Sequence, residues 1–415
     1  MRPVQFEALG LSAPLLRAVA ERGYHDPTAV QAAVIPEVLR GRDVWAQAST
    51  GAGKTAAFVL PILEALSRRA LAVPRRVHAL ILVPTRELAK QTTDTIAALR
   101  RHLAQRPKTV TILGGVSINP QMMELRGGAD IIVATPGRLL DLVAKNALSL
   151  AAVSQLVLDE ADRLLEHGFA EELARIVALL PAHRQTLLFS ATFPPAVAQL
   201  AEQLLRAPAR IDVSDAPADV PAIAQRAIEV DAPRRTQLLR HLIEQHDWAR
   251  VLVFVATTHA TEHVAAKLCA AGINAIALHG KLSQGARTRA LDLFRASGVH
   301  VLVATDLASR GLDITGLPAV VNYDLPRSPN DYVHRIGRTG RAGEPGVAIS
   351  FITAAMRAHF ALIERSHRHY VVRERVAGFE PSEAPPEVVA TGGIKGARKS
   401  KKDKLREAAA RSGLG

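Results

Sequence analysis

The stretch Ala48-Ser49-Thr50-Gly51-Ala52-Gly53-Lys54-Thr55 decides the fold of this chain. Apolar residues on both sides of it predict a strand, a glycine loop and the start of a helix. Such a loop turns backbone N–H groups inward, and the helix adds its positive N-terminal end, so phosphate is favoured there. Lys54 is placed to reach the outer phosphates of a nucleotide, and the Thr55 hydroxyl to hold Mg²⁺.

The first position of this loop departs from the generic pattern, which begins with glycine, because Ala48 stands there. The spacing from Ala48 to Gly53-Lys54-Thr55 is nevertheless correct, and Gly51 supplies a flexible point. A chance glycine turn before a helix is the alternative. The surrounding strand and helix patterns count against it.

The composition indicates a soluble globular protein, with 48% apolar and 22% charged residues. A length of 415 residues predicts two domains. The net charge of +13 indicates a polyanionic partner, most simply nucleic acid, although a generally basic surface is the alternative. Aromatic residues are only 4% of the chain, so we expect contacts to a nucleic-acid backbone more than to bases.

The single cysteine, Cys269, excludes an intramolecular disulfide and a cysteine zinc site. It lies in an apolar helical pattern, which predicts a small core residue. The composition fits a reducing cytoplasm. We expect neither a signal peptide nor a membrane span, and therefore a cytoplasmic protein.

Apolar strands alternate with helical segments after the loop, which predicts a parallel α/β sheet. Three of these strands lead into polar loops that begin at Pro84, Gly114 and Thr135. Because parallel sheets bind ligands at the carboxyl ends of their strands, these loops are suited to contact phosphates. An ordinary turn is the alternative for each loop alone.

Acidic residues follow the buried strand Gln155–Leu158, in the run Asp159-Glu160-Ala161-Asp162. A carboxylate there can hold Mg²⁺ opposite the glycine loop, and its neighbour can orient or deprotonate an attacking water. An acidic helix N-terminus is the alternative. The next strand, Thr186–Phe189, leads into Ser190-Ala191-Thr192.

The N-terminal segment supplies candidates for contacting a nucleotide base. Gln31 lies in the first turns of a helix predicted to begin near Pro27 and Thr28. A glutamine amide can pair with the N6/N7 edge of adenine. Phe6 is a candidate to stack on that base, with a core aromatic as the alternative.

The run Asp212–Pro221 is rich in Pro, Asp and small residues, which predicts a linker over 209–222. A second alternation of strands and helices follows, without a glycine-lysine loop. We therefore predict one domain over 1–208 and another over 223–376, each a mainly parallel sheet flanked by helices. The tail 377–415 is predicted to be disordered or marginally helical, and its Lys and Arg residues predict sequence-independent anchoring of nucleic acid.

Polar residues of the second half concentrate in the run His334–Arg341. Arg338 and Arg341 are spaced to share one face of a predicted helix. Offered to a triphosphate from a separate domain, they would act as arginine fingers and neutralise charge in the transition state. A surface arginine cluster is the alternative.

Together these motifs resemble the DEAD-box family of ATP-dependent RNA helicases, most closely the bacterial RhlE-type group. The resemblance covers roughly residues 3–370, and Ala48 is the residue this family usually has. The motifs stand in the family's order and comprise the glutamine motif ending at Gln31, the nucleotide loop, Pro84–Leu88, Thr135–Arg138, Asp159–Asp162, Ser190–Thr192, Thr305–Asp313 and His334–Arg341.

The resemblance implies two tandem RecA-like domains that close around ATP, Mg²⁺ and a single RNA strand. It implies that Gln31 recognises adenine, Phe6 stacks on it and Asp313 approaches the ribose. The implied catalytic residues are Lys54, Asp159, Glu160, Ser190, Thr192, His334, Arg338 and Arg341. The implied nucleotide and metal contacts are Ala48, Ser49, Thr50, Gly51, Ala52, Gly53, Lys54 and Thr55, Asp313, Arg338 and Arg341, with Thr55 and Asp159 as metal ligands. The implied RNA path comprises Pro84, Thr85, Arg86, Gly115, Thr135, Gly137, Arg138, Gly280 and Thr305.

The implied function is local, ATP-driven separation of short RNA duplexes and remodelling of RNA or RNA–protein complexes, with an ATPase that mainly clamps or anneals RNA as the alternative. A DNA-dependent motor is a rival, against which the glutamine motif and the Asp159–Asp162 motif count. A non-enzymatic RNA scaffold is another, against which the complete carboxylate and arginine set counts. Expected partners are RNA, contacted through its backbone, and as candidates ribosomal particles or the RNA-degradation machinery, with no membrane.

Overall fold

The computed structural model describes residues 5–48, 51–166, 168–213, 223–309, 314, 316–340, 346–367 and 369–382. The strands are β1 (Val44–Gln47), β2 (Ala79–Leu82), β3 (Thr109–Ile112), β4 (Ile131–Ala134), β5 (Gln155–Leu158), β6 (Gln185–Ser190), β7 (Ala209–Asp212), β8 (Ala224–Glu229), β9 (Val251–Phe254), β10 (Ala275–Leu278), β11 (Val301–Ala304), β12 (Ala319–Asn322), β13 (Val347–Ile352) and β14 (Arg373–Glu374). The α-helices are α1 (Ala13–Glu21), α2 (Ala29–Leu39), α3 (Lys54–Ser67), α4 (Arg86–Leu99), α5 (Ile118–Glu124), α6 (Pro136–Ala144), α7 (Ala161–Glu166), α8 (Ala170–Ala178), α9 (Pro195–Leu204), α10 (Arg235–His246), α11 (Thr258–Ala270), α12 (Gln284–Arg295), α13 (Asp306–Ser309), α14 (Pro329–Ile336) and α15 (Arg357–His367).

The first seven strands form one parallel sheet in the order β3-β4-β2-β5-β6-β1-β7. Its strands are short, and β2, β4 and β5 are buried along their whole length. Continuous apolar runs of this kind are typical of parallel strands covered by helices on both faces. The carboxyl ends of β1 to β6 therefore meet at one edge, where the polar loops of the sequence come together.

Alternation of side chains divides the first domain into two cores. Ile81 and Val133 pack with α2, α3 and α4 residues on one face. Leu80 and Leu82 face the other way and pack with residues of α6, α7 and α8. Because successive strand residues point to opposite faces, β2, β4 and β5 each contribute to both cores.

The second domain repeats this architecture with the sheet order β10-β11-β9-β12-β13-β8-β14, again with parallel pairings. Its helices also cover both faces, with one core around Val253 and Val303 and another around Leu252 and Leu302. The predicted α/β fold with two tandem sheets is therefore confirmed.

Two domain boundaries lie elsewhere than the sequence indicated. Residues 209–212, expected in the linker, form β7 and pair with β1. At the carboxyl-terminal end of the second domain, Phe379 packs on the core around Val253 and Val303. The Ser382 backbone N–H donates a hydrogen bond to Asp231 at 2.9 Å. Residues 214–222 of the expected linker and 383–415 of the expected tail lie outside the described residues.

Cys269 is exposed on α11, so its prediction as a core residue is wrong. The helix buries Val264, Ala265 and Leu268, and position 269 falls beside that stripe rather than within it. In the part of the chain that the structure describes, no helix combines the length and the apolar character needed to cross a membrane.

Candidate nucleotide and RNA site

A cavity of about 690 Å³ lies between the two domains. The first domain lines it with the glycine loop and the acidic motif, and the second domain lines it with α12 and Arg338. Predicted site residues that line it are Gln31, Gly51, Gly53, Lys54, Thr55, Asp159, Glu160 and Arg338. Ser49 and Thr50 lie outside the described residues, so their predicted contacts stay predictions.

The glycine loop is built so that only glycine fits at Gly53. Its φ is +92°, and a Cβ there would lie 2.5 Å from the Gln31 amide nitrogen. Gln31 instead donates a hydrogen bond to the Gly53 carbonyl at 3.2 Å and accepts one from the Thr28 N–H at 3.0 Å. Since an amide has a second donor hydrogen and a second lone pair, Gln31 retains one of each for a ligand.

The aromatic residue at the cavity is Tyr24, not Phe6. Phe6 is 3% exposed in the hydrophobic core and does not line the cavity, so its stacking on a base stays a prediction. Tyr24 lies at the cavity wall with Thr28 and Gln31. Tyr24 stands seven residues before Gln31, and its local sequence carries no pattern that indicates contact with a base.

Lys54 and Asp159 supply opposite charges to this cavity. Lys54 is buried and its ammonium donates to the Ala48 carbonyl at 2.9 Å. Asp159 follows β5 and is 2% exposed. Burial raises the pKa of Asp159 to about 6, which Lys54 partly opposes and Glu160 and Asp162 reinforce. A buried carboxyl group with a raised pKa fits a site that a divalent cation completes.

The raised pKa of Asp159 predicts how lowering the pH and replacing Asp159 by Asn change the stability of the folded protein. The folded protein binds a proton at Asp159 more tightly than the unfolded chain does, so ionised Asp159 destabilises the folded state above about pH 6. This destabilisation is lost as the pH falls through about 6 towards the unfolded value of 3.8. We expect Asp159→Asn to raise the midpoint of thermal unfolding by a few degrees at neutral pH.

The measurement is thermal unfolding without nucleotide at several pH values. The gain from Asp159→Asn should shrink as the pH falls through about 6. Asp141→Asn, which changes a side chain that is 62% exposed, is the control and should leave the midpoint unchanged. If Asp159→Asn raised the unfolding midpoint equally at every pH, the raised pKa of Asp159 would not explain the gain.

Glu160 occupies a backbone conformation that holds its side chain towards the cavity. Its φ is +52°, which is unusual for a residue with a Cβ and is associated with functional sites. Arg163 lies 3.6 Å from one carboxylate oxygen, and both side chains are buried. That oxygen, Oε2, accepts no hydrogen bond from any described residue. Glu160 is therefore oriented, yet it keeps an oxygen able to take a proton.

Asp162 connects the acidic motif to the loop after β6. It accepts hydrogen bonds from the Thr192 N–H at 3.1 Å and the Thr192 hydroxyl at 2.9 Å. Ser190 accepts from the Asp162 N–H at 3.2 Å and donates to the Thr192 carbonyl at 2.7 Å. Ser190 and Thr192 thus touch the acidic motif through Asp162, a residue that the sequence analysis had given no separate role.

The predicted RNA residues of the first domain lie in loops at one sheet edge. Thr85 directly precedes α4 and Thr135 directly precedes α6, after the neighbouring strands β2 and β4. Gly115 has φ +70°, and a Cβ there would lie 2.6 Å from the Arg86 guanidinium. Arg138 donates to the Val116 carbonyl at 2.8 Å. The structure therefore brings these loops together, with Gly137 open and Pro84 buried beneath them.

The predicted RNA residues of the second domain follow two neighbouring strands. Gly280 lies two residues beyond β10 and Thr305 directly follows β11. Gly280 is exposed, whereas Thr305 is 9% exposed and donates its N–H to the Leu278 carbonyl at 3.3 Å. The carboxyl edges of both sheets thus carry predicted RNA residues.

The domains are joined by two contacts that the sequence analysis did not anticipate. Arg287 of α12 forms an ion pair with Glu87 of α4 at 2.5 Å; the Arg287 side chain is buried and the Glu87 side chain is 10% exposed. Arg86 donates to Gln284 at 3.4 Å. Spacing of Gln284 and Arg287 on one helix face was the available signal. The Glu87–Arg287 pair links the RNA loops of the first domain to the second domain.

Exchange of these charges tests that link. Because breaking a buried pair leaves an uncompensated charge, Glu87→Arg or Arg287→Glu alone should lower RNA-stimulated ATP turnover at least about 10-fold. The double exchange restores opposite charges and should recover much of that activity. Turnover of the four proteins is the measurement. If the double variant loses ATP turnover by the product of the two single losses, the two residues do not act as a pair.

Arg338 is the predicted arginine finger that reaches the cavity. It is 5% exposed and lies beyond the end of α14 at Ile336, so the helix does not extend to it. His334 lies on α14 and is partly buried. Arg335 has a structural role, since it binds Asp306 at 2.5 Å and Asn322 at 3.0 Å. Arg341 and Asp313 lie outside the described residues.

Comparison with known proteins identifies the family. The DEAD/DEAH box helicase model matches residues 28–200, and the helicase conserved C-terminal domain model matches residues 234–343. The chain is 39% identical over 368 residues to the DEAD-box ATP-dependent RNA helicase CshA of Geobacillus kaustophilus. The matched region covers 89% of this chain and 78% of that protein.

Two solved structures show the same arrangement. S. cerevisiae Dbp5 bound to RNA and ADP BeF3 is 31% identical with a TM-score of 0.79, covering 91% of this chain and 95% of that one. Mss116p bound to ssRNA and AMP-PNP is 28% identical with a TM-score of 0.80, covering 90% of this chain and 80% of that one. This chain belongs to the DEAD-box family of ATP-dependent RNA helicases.

Proposed function

We propose that this protein is an ATP-dependent RNA helicase that separates short duplexes locally by closing its two domains. The observation that carries this conclusion is the cavity that holds Lys54, Asp159 and Glu160 of one domain and Arg338 of the other. A ligand that touches both sets binds best when the domains are together. ATP binding therefore favours closure.

Within the cavity, each group has a role that its contacts support. Gln31 recognises adenine with its remaining donor and acceptor, and Tyr24 stacks on the base. Lys54 leaves the Ala48 carbonyl for the phosphates. Thr55 and Asp159 would hold Mg²⁺, which supplies charge neutralisation at the phosphates when bound. Glu160 orients the attacking water and accepts its proton.

RNA binds across the carboxyl edges of both sheets in this proposal. The loops around Arg86, Gly115 and Arg138 contact the strand in the first domain, and Gly280 and Thr305 contact it in the second. A strand bound to both domains favours the closed state, as ATP does, so the two ligands bind cooperatively. The hydrogen bonds from Thr192 to Asp162 carry the state of the acidic motif to the rest of the cleft.

Backbone recognition explains the expected lack of sequence preference. The proposed RNA residues are glycines, threonines and arginines, which suit phosphates and 2′-hydroxyl groups. We place the protein in the RhlE-type group and in the cytoplasm, on the basis of its overall motif set, its short basic tail and its cysteine content. Ribosomal particles and the RNA-degradation machinery are the partners we propose for it.

The decisive experiment compares ATP hydrolysis and strand separation on matched RNA and DNA. We expect RNA, but not DNA of the same sequence, to stimulate ATP turnover and to be unwound when the duplex is short. RNA binding without stimulated hydrolysis would make the protein a clamp. A requirement for a continuous single-stranded track of fixed polarity would show translocation and refute local separation.

A further inference from the structure

The opposite edge of the first sheet is strongly basic. The four loops that lead into the amino ends of β2, β3, β4 and β5 span residues 68–78, 100–108, 125–130 and 145–154. They contain ten Lys and Arg residues and a single acid, Asp130. Their net charge of +9 compares with +13 for the whole chain. At the carboxyl ends of the same four strands, Arg86 and Arg138 lie in the first turns of α4 and α6, and the short connections before the helices contain no Lys or Arg.

These loops form one continuous surface, which we call the basic edge. Their strands are neighbours in the order β3-β4-β2-β5, so the loops span about 15 Å side by side. Hydrogen bonds join them, from Arg75 N–H to the Gly127 carbonyl at 3.0 Å and from Asp130 N–H to the Lys108 carbonyl at 2.9 Å. Ser154 N–H donates to the His78 carbonyl at 2.9 Å. The backbones of the loops that carry these charges are therefore joined to one another.

Most of these cations lack an internal counterion. Arg75 pairs with buried Asp130, and Arg68 and Arg101 pair with Glu64 and Glu21. The other seven cations form no ion pair with any acid among the described residues; they are Arg69, Arg76, Arg100, Arg106, Lys108, Arg126 and Lys145. Burial of Arg100 and the charges of Arg106 and Arg75 lower the pKa of the Arg100 guanidinium. A bound anion would relieve this repulsion.

We propose that the basic edge is a second RNA-binding surface, which holds the backbone of a duplex or flanking strand while the cleft acts on another segment. The four-residue strands separate it from the RNA loops of the cleft by about 13 Å. Its loops contain no Phe, Trp or Tyr on which a base could stack, so phosphates are the groups it recognises. The proposal that the basic edge binds RNA rests on the proposed function, in which RNA is the substrate of the cleft.

The test uses two variants of the full chain that remove the same charge. The edge variant combines Arg76→Gln, Arg106→Gln and Arg126→Gln, all exposed residues of the basic edge. The control variant combines Arg175→Gln, Arg240→Gln and Arg365→Gln, which are exposed on α8, α10 and α15. Affinity for an RNA hairpin with a single-stranded extension is measured as a function of salt.

We expect the edge variant to bind the hairpin at least about 10-fold more weakly at low salt. Its salt slope, the steepness with which the logarithm of affinity falls with the logarithm of salt concentration, should be smaller by about 2 to 3. The control variant should bind within about twofold of wild type. ATP turnover driven by a single strand of about ten nucleotides, which fills the cleft alone, should be equal in all three proteins. If the short strand fails to stimulate the wild type, the proposed function fails instead.

Equal hairpin affinity and salt slope in the edge and control variants would overturn the proposal. Binding of polyglutamate by the wild type but not by the edge variant, with hairpin affinity unchanged, would assign the surface to an acidic protein segment and overturn it equally. The three single substitutions provide the same test if the triple variant unfolds, since each should reduce the salt slope by about 1.

Discussion

Replacement of Glu160 by Gln is expected to lower RNA-stimulated ATP turnover by about 10²- to 10⁴-fold. The amide has the same shape as the carboxylate but cannot accept the proton of the attacking water. Glu160 is buried, and its Oε2 lies near Arg163 but accepts no hydrogen bond from any described residue, so no neighbouring group is available to take over this role through an existing hydrogen bond. The loss should fall on the chemical step rather than on binding.

The measurements are single-turnover ATP hydrolysis, ATP affinity and RNA affinity. We expect both affinities to stay within about twofold of wild type, and the complex with ATP and RNA to persist because its nucleotide is not cleaved. Glu202→Gln, which changes an exposed residue on α9, is the matched control. Turnover of Glu160→Gln near the wild-type rate would remove Glu160 from catalysis.

Replacement of Arg338 by Gln should reduce ATP turnover by about 10³-fold or more. Arg338 is the buried second-domain guanidinium in the cavity that also holds Lys54 and Asp159. Its charge stabilises the transition state, and its reach across the cleft makes nucleotide binding depend on closure. Both effects disappear when the charge is removed, although each domain keeps its own fold.

The distinguishing measurement is RNA affinity with and without a nonhydrolysable ATP analogue. Wild type should bind RNA more tightly with the analogue, and Arg338→Gln should show little or no such gain. RNA affinity without nucleotide should be unchanged. Arg365→Gln, on the exposed side of α15, controls for loss of one positive charge. Retained cooperativity in Arg338→Gln would contradict a role for this residue in closure.

Prediction from sequence succeeded where a short motif carries its own local structure. The loop Ala48–Thr55 and the strand before Asp159 were recognisable because spacing and apolar runs are properties of adjacent residues. Gln155–Leu158 is a strand over the predicted residues. Strand β7 was missed, because a partly exposed edge strand lacks the continuous apolar run of a buried one.

Burial that depends on distant packing is not encoded in a local pattern. Phe6 is an aromatic residue upstream of Gln31, and nothing in its neighbours distinguishes a core residue from a stacking one. Cys269 lies in an apolar pattern, yet the rotation of α11 against its sheet exposes it. The spacing of Arg338 and Arg341 suggested a shared helix face, but α14 ends at Ile336.

The sequence by itself determined the fold class, the two-part organisation and the identity of the phosphate, acidic and arginine motifs, because each depends on residues close together in the chain. Only the tertiary structure decided which of these motifs share a cavity, that Tyr24 rather than Phe6 lines it, and that Glu87 meets Arg287. It also gathered ten cations from four separate loops on one edge of the first sheet. Contacts between residues far apart in the chain follow from strand order and helix packing, which no local pattern encodes.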